Sequence, residues 1–264
     1  MKAHTFITLA ALVGLSSLHA STLQDGLIDH YDFNGSLIDS TGNGFNLTNG
    51  GTYEYVQDRF GVYDGAVKLV TANPDNGTFF LGTGPDLANK SSSVSFWVRK
   101  DYIGDGTNGS WVFGLGHPAG TGGSLGEDMN VSLDYGQSLR YSFFADDFNS
   151  ATALSNFVWN HLAFTYDYVT GLRSIYINGV LDSTNYAAFP FTGGTDLKMG
   201  FEGITLDDFR LYDRALTGEE ARMLAGGRSV PEGGVTALLF GLGVLAVGSS
   251  RRLRKNNDRS LVDC

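Results

Sequence analysis

Apolar and polar residues alternate along most of the middle of the chain, which is the period of a β-strand with one buried face. Residues 27–33 (LIDHYDF) follow this pattern, although Asp29 interrupts it on the apolar side. Residues 93–98 (SVSFWV) follow it with Trp97 facing away from the apolar side. Helical spacing is nearly absent, so the pattern predicts an all-β domain.

The clearest local signal lies between residues 162 and 182, where β-rich stretches flank two turns. Asn178-Gly179 is the stronger turn signal, because both residues tolerate the positive φ angles that a two-residue hairpin needs. Gly171 marks the turn before it. These stretches predict a three-stranded meander.

A single short helix is predicted near the end of the domain. Thr217 and Glu220 have the spacing of a capping box, and Gly226 follows the last helical residues. The helix comes directly after a predicted strand at residues 204–212. Many short strands with one closing helix predict an antiparallel β-sandwich of the jelly-roll type over residues 21–228.

The first 20 residues have the organisation of a secretory signal peptide. Lys2 supplies the positive start, residues 6–15 are apolar, and Ala20 stands at the cleavage position. The apolar stretch is about half the roughly 20 residues that a membrane-spanning helix needs. We therefore expect export by the Sec machinery and a mature chain that begins at Ser21.

Residues 229–264 form a second targeting element outside the domain. Its parts are, in order, Pro231-Glu232-Gly233, the hydrophobic segment 235–248, predicted to be helical, and the basic run 251–255 with Arg251 and Arg252. This order resembles the PEP-CTERM sorting signal, which exosortase-type enzymes process at the inner membrane of Gram-negative bacteria with exopolysaccharide systems. The family motif ends in proline where this chain has Gly233. A plain C-terminal anchor is the alternative, and either leaves the domain outside the cytoplasm.

Charge and cysteine content exclude several classes of function. The formal net charge is −10, and several of the basic residues lie in the C-terminal tail, so the domain itself is strongly acidic. Such a surface repels nucleic acid and anionic lipid, and we expect neither as a partner. The single cysteine, Cys264, excludes an intrachain disulfide.

Four stretches in sequence resemble the LamG-like jelly-roll family, which is related in fold to legume lectins, pentraxins and laminarinases. They are HYDFNG with DSTGNG (30–35 and 39–44), VSFWV (94–98), WNHLAFTYD through YING (159–179) and GITLDDFRLYDRAL (203–216). The resemblance covers residues 26–226 in the family's order. It implies a concanavalin A-like β-sandwich.

Because the fold also hosts laminarinases, a glycoside hydrolase is one hypothesis. Retaining enzymes need two carboxyl groups about 5–5.5 Å apart, and laminarinases carry theirs in an E-x-D-x-x-E pattern that no glutamate of this domain starts. Asp207 and Asp208 are expected on opposite faces of a strand. His30, His117 and His161 show no zinc spacing. We therefore predict no catalytic residue and no enzymatic activity.

The resemblance instead implies loops at one rim that bind sugars or proteins, in some members with calcium. Calcium takes six to eight oxygen ligands, and the candidates here are Asp39 and Asn43 of the 39–44 loop, with Asp207 brought near by the fold. The alternative is an Asx turn at Asp39 that binds no metal.

Two functions remain open. The first is a secreted, non-catalytic domain at the cell surface or in the extracellular matrix that binds polysaccharide or a surface protein. The second is a structural envelope or exopolysaccharide-matrix protein without a small ligand. The sequence does not identify the ligand.

Overall fold

The computed structural model describes residues 23–71, 80–101, 110–116, 124–133, 138–200 and 203–226. Within these residues the chain forms fifteen strands and one short helix. In chain order they are β1 (Leu27–Tyr31), β2 (Thr48–Asn49), β3 (Thr52–Val56), β4 (Ala66–Thr71), β5 (Phe80–Thr83), β6 (Ser92–Lys100), β7 (Ser110–Gly116), β8 (Met129–Leu133), β9 (Ser138–Phe143), β10 (Asp146–Ala153), β11 (Trp159–Asp167), β12 (Leu172–Ile177), β13 (Val180–Tyr186), β14 (Asp196–Met199), β15 (Ile204–Tyr212) and α1 (Gly218–Leu224).

The strands form two antiparallel sheets packed face to face. The larger sheet has the order β13-β12-β11-β6-β15-β4-β3, with β1 paired to β15 as its eighth strand. The smaller has the order β10-β9-β8-β7-β14-β5-β2. Strands that pair within one sheet, such as β6 and β15, can be far apart in the chain. The chain between them passes into the other sheet and returns. The predicted all-β jelly roll with one short helix is confirmed.

Aromatic side chains fill the space between the sheets. Phe209 of β15 has its ring centroid 5.8 Å from that of Phe96 and 5.4 Å from that of Phe113, which belongs to the smaller sheet. All three are buried. Burying one such side chain contributes about 1.5–3 kcal/mol, so this contact between sheets is a main source of stability.

The predicted first strand is correct in place but too long. β1 ends at Tyr31, because Phe33 has a φ of 51° and takes the chain out of the sheet while its ring stays buried. The apolar alternation of β6 is confirmed, since Val94, Phe96 and Val98 are buried between the sheets and Trp97 lies on the outer face.

The predicted meander and helix are confirmed. Strands β11, β12 and β13 pair in sequence, and Gly171, Asn178 and Gly179 have φ angles of 75°, 52° and 77°. Helix α1 starts at the predicted capping box, in which the Thr217 hydroxyl accepts from the Glu220 N–H.

The two predicted targeting elements lie outside the described residues. These are the signal peptide at 1–20, with Ala20, and the sorting segment at 229–264, with Pro231, Glu232, Arg251 and Arg252. Within the described part of the chain, no helix is both long and apolar enough to cross a membrane. Both elements stay predictions.

Candidate functional site

The loop between β1 and β2 (residues 32–47) is organised around the Asp39 carboxylate. This group accepts hydrogen bonds from the backbone N–H groups of His30 (3.1 Å), Thr41 (2.9 Å) and Asn43 (3.1 Å). Burial alone would raise the pKa of Asp39, but these bonds and the Thr41 hydroxyl lower it below its ordinary value. The carboxylate therefore holds the loop in an Asx-type turn.

Beside this turn the loop forms one wall of an open groove, which we call the rim groove, of about 530 Å³. Strand β5, which pairs with the edge strand β2 of the smaller sheet, forms the other wall. Its lining residues are Asn43, Gly44, Phe45, Asn46, Thr48, Leu81, Gly82 and Thr83. None of them is charged, and they combine amides, hydroxyls and one partly exposed aromatic ring.

Hydrogen bonds behind the lining residues fix the shape of the rim groove. The Tyr31 hydroxyl, in the core, donates to the carbonyl oxygen of Phe45. The Asn46 side-chain oxygen accepts from the Asp39 N–H at 3.0 Å, and the Thr48 hydroxyl donates to the Leu81 carbonyl at 2.9 Å. A site held in this way loses little conformational entropy when a ligand binds.

A charged cluster lies next to the groove loop, on the outer face of the larger sheet. The Arg59 guanidinium donates to Asp207 and lies 3.5 Å from the Asp208 carboxylate. His30 Nε2 is 2.8 Å from Asp208 Oδ1, and the Arg210 guanidinium is 2.7 Å from the same oxygen. The cluster therefore joins β1, β15 and the loop after β3.

The expectation that Asp207 and Asp208 point to opposite faces is wrong. Asp208 has a φ of 54°, and the register of β15 against β6 shifts between Asp207 and Arg210. This bulge turns both carboxylates toward Arg59. The alternation rule assumes regular extended backbone, which a bulge interrupts.

The pKa values of the two carboxylates of the cluster shift in opposite directions. Burial raises the pKa of Asp207 to about 7, although the Arg59 charge opposes this shift. Burial acts in the same direction on Asp208, but the hydrogen bond from His30 and the charges of Arg210 and Arg59 lower its pKa below the ordinary value. Asp208 is therefore the more acidic of the two carboxylates.

Each of the three predicted calcium ligands has a partner within the protein. Asp39 and Asn43 share one turn, in which the Asn43 side-chain amide donates to the Ile28 carbonyl at 2.7 Å. Asp207 is paired with Arg59, whose positive charge opposes a cation there. Across the described ranges, no group of three or more His, Cys, Asp and Glu side chains is arranged for a metal ion. Calcium binding stays a prediction.

The two glutamates of helix α1 have structural partners. Glu220 accepts from Arg214 (2.6 Å) and from the Thr217 N–H (2.7 Å), and Glu219 accepts from Arg222 (2.5 Å). None of the carboxylates of the described chain lines the rim groove. The groove therefore lacks the carboxyl pair that glycoside hydrolysis requires.

Sequence reasoning found only part of the groove. The Asp39–Asn43 turn has a recognisable motif, and Phe45, Asn46 and Thr48 follow it directly. Residues 81–83 carry no motif. They reach the groove because β5 pairs with β2, Thr48 opposite Leu81, and this pairing belongs to the sheet topology.

Two facing antiparallel sheets with an uncharged groove at the rim define a lectin-like jelly-roll domain. A laminin G-type family model, described as the concanavalin A-like lectin/glucanases superfamily, matches residues 64–222. The chain belongs to that superfamily. No curated protein matches it.

Several solved structures with the same fold are binding domains. The binding domain of Paraclostridial Mosquitocidal Protein 1 has a TM-score of 0.58 at 17% identity, covering 76% of this chain and 52% of that one. Botulinum neurotoxin type C, whose cell entry depends on two ganglioside molecules, gives 0.60 at 15% identity, covering 76% and 51%. This chain thus spans about half the length of either toxin structure, and at these identities the likeness shows the fold.

A third structure matches over nearly its whole length. Domain 4 of AbnA, an extracellular arabinanase of family GH43 from Geobacillus stearothermophilus, was solved in complex with arabinotriose. Its TM-score is 0.52 at 26% identity, covering 75% of this chain and 98% of that domain.

Proposed function

We propose that this chain is a non-catalytic carbohydrate-binding domain whose rim groove takes a neutral oligosaccharide. The observation that carries the proposal is the lining of the groove. Amide and hydroxyl groups there match sugar hydroxyls, and the Phe45 ring offers an apolar face for a sugar ring. The absence of charge from the lining favours a neutral sugar over an acidic one.

The likeness to AbnA domain 4 supports this proposal. That domain is complexed with a neutral oligosaccharide, and this chain covers nearly all of it. The overall net charge of −10 also favours uncharged ligands, because acidic polysaccharides would be repelled at long range.

We place this function outside the cytoplasm. The proposal includes export by the Sec machinery, followed by processing by an exosortase-type enzyme at the inner membrane or retention by the C-terminal segment. The ligand would then be an extracellular polysaccharide or a glycan on a surface protein. A structural matrix protein without a small ligand is the competing function, and the same experiment separates the two.

The test is binding of the full chain to an array of neutral and acidic oligosaccharides, with arabinotriose among the probes. We expect a neutral oligosaccharide to bind. Thr83→Val, which removes one hydroxyl from the groove, should weaken binding about three- to tenfold. Thr184→Val makes the same change on exposed strand β13, at the opposite edge of the sandwich, and should leave binding unchanged.

A folded protein that binds no oligosaccharide on the array would refute the proposal and favour the matrix protein. Equal weakening by Thr83→Val and Thr184→Val would show that the binding site is not the rim groove.

A further inference from the structure

We infer that the loop between β3 and β4 (residues 57–65) is a second sugar-binding subsite, an aromatic platform that extends the rim groove. This inference rests on the proposed function. It assigns the platform to Phe60 and Tyr63, and it specifies a ligand longer than the groove itself.

The first observation is that three large apolar side chains of this loop are exposed to solvent. Phe60 is 76% exposed, Tyr63 is 80% exposed and Val62 between them is 56% exposed. Single exposed apolar residues are common on protein surfaces, but three within four positions of one loop form a patch. Aromatic rings of this kind lose little entropy on binding, because they have only two rotatable side-chain bonds.

The second observation is that the loop is held in one shape. The Asp58 carboxylate accepts from the backbone N–H groups of Phe60 and Val62, each at 2.8 Å. The Asp58 N–H donates to the Val62 carbonyl at 3.0 Å, and Gly61 supplies a φ of 81° for the turn. The aromatic residues are therefore presented by a closed turn.

The third observation is the support beneath Phe60. The Arg59 guanidinium carbon lies 4.4 Å from the centroid of the Phe60 ring and 4.7 Å from that of the Trp97 ring. Arg59 is itself fixed by Asp207 and Asp208. One face of Phe60 thus rests on a cation that the sheet holds in place, and the ring remains largely open to solvent.

A chain of side-chain contacts connects the platform to the groove loop. Asp208, which contacts Arg59, lies 2.8 Å from His30 Nε2. The other ring nitrogen of His30 lies 2.9 Å from the hydroxyl of Ser40, within the loop that forms the groove wall. The two loops are therefore neighbours, which is the arrangement that one extended ligand would need.

The size and charge of the patch favour a sugar over other occupants. Two aromatic side chains offer about 150–250 Å² each, well below the about 800 Å² per partner of a stable protein interface. An anionic lipid surface would be repelled by a chain with a net charge of −10. Stacking on the apolar face of a neutral sugar needs only the area that is present.

The experiment titrates the full chain with neutral linear oligosaccharides derived from arabinan, glucan and xylan, each in a short and a longer form. We expect the longer form of the bound series to bind more tightly than the short one. Phe60→Ala and Tyr63→Ala should each weaken the longer form about three- to tenfold and leave the short form nearly unchanged. Phe60→Trp should keep the affinity. Tyr186→Ala, a ring 72% exposed on strand β13, is the matched control.

The outcomes separate the two proposals. If Thr83→Val weakens binding but the loop variants do not, the platform is refuted and the groove stands. If no oligosaccharide binds the wild-type chain, both are refuted. If the chain instead self-associates and Phe60→Ala abolishes the association, the loop binds a second copy and the sugar subsite is refuted.

Discussion

Asp29 is fully buried in β1, and among the described residues neither of its carboxylate oxygens has a hydrogen-bond partner. Burial, together with the nearby charge of Asp39, raises the pKa of Asp29 to about 7. The folded protein therefore keeps a proton on this group at pH values where the unfolded chain has lost it. The strand that carries Asp29 also anchors the groove loop, through the Ile28 and His30 carbonyls.

The raised pKa of Asp29 predicts how the free energy of unfolding depends on pH. A group whose pKa is raised on folding binds more protons in the folded state, so its stabilising contribution is lost as pH rises from about 4 to about 7. Relative to Asp29→Asn, which cannot ionise, the wild-type free energy of unfolding should fall by about 1.4 kcal/mol per pH unit in that window. Urea unfolding at several pH values measures it.

Asp29→Ala serves as a second non-ionisable variant, in case an amide side chain at this buried position is poorly tolerated. Parallel pH curves for wild type and both variants would contradict the prediction. They would mean that a bound cation or another partner, and not a proton, neutralises the carboxylate.

At the scale of elements, the edge formed by β12, β13 and β10 is closed by side chains rather than by strand pairing. Arg173 of β12 is completely buried and donates to the Asp146 carboxylate and carbonyl of β10, each at 2.9 Å. Asp182 of β13 accepts from the Ala151 and Thr152 N–H groups of β10. Both contacts join one sheet to the other.

We predict that Arg173→Met destabilises the domain by about 3–5 kcal/mol, because it leaves the partly buried Asp146 carboxylate without its cation. The control is Arg222→Met, which breaks the exposed ion pair with Glu219 on helix α1 and should destabilise the domain far less, because solvent screens exposed ion pairs. Chemical unfolding of both variants measures the difference. Equal effects would show that burial of the Arg173 pair does not matter for stability.

At the scale of the whole molecule, the effect of calcium on thermal unfolding tests whether the loops at the rim are stabilised by hydrogen bonds and ion pairs or by a bound metal ion. Asp39 already accepts hydrogen bonds from its own turn, and Asp207 is paired with Arg59. We therefore expect the same thermal unfolding temperature in calcium and in chelator. A rise of several degrees with calcium would show that the ion displaces these partners and would support the predicted calcium site.

The mature ends of the protein are a second test at this scale. Mass spectrometry of the native protein should find termini near Ser21 and Pro231 if both targeting elements are processed. An intact Cys264 would contradict the sorting signal and favour a permanent anchor.

The fold class and several structural elements could be predicted from the amino-acid pattern. Periodicity and turn chemistry are local, so the β11–β12–β13 meander, the last strand at Ile204–Tyr212 and the capping box at Thr217 follow from neighbouring residues. The Asx turn at Asp39, which the sequence analysis gave as the alternative to a calcium site, could also be predicted because it depends only on neighbouring residues.

Which distant residues share a surface could not be predicted without the folded structure. The groove needs β5 beside β2, and the charged cluster needs a bulge at Asp208 that turns its carboxylate toward Arg59. In the sequence, Asp29 only interrupts the apolar alternation of the first strand. The structure shows that its carboxylate is buried without a hydrogen-bond partner among the described residues. Local propensity acts over a few residues, whereas strand pairing, burial and charge contacts depend on how the whole chain packs, so these features do not appear in the pattern of the sequence.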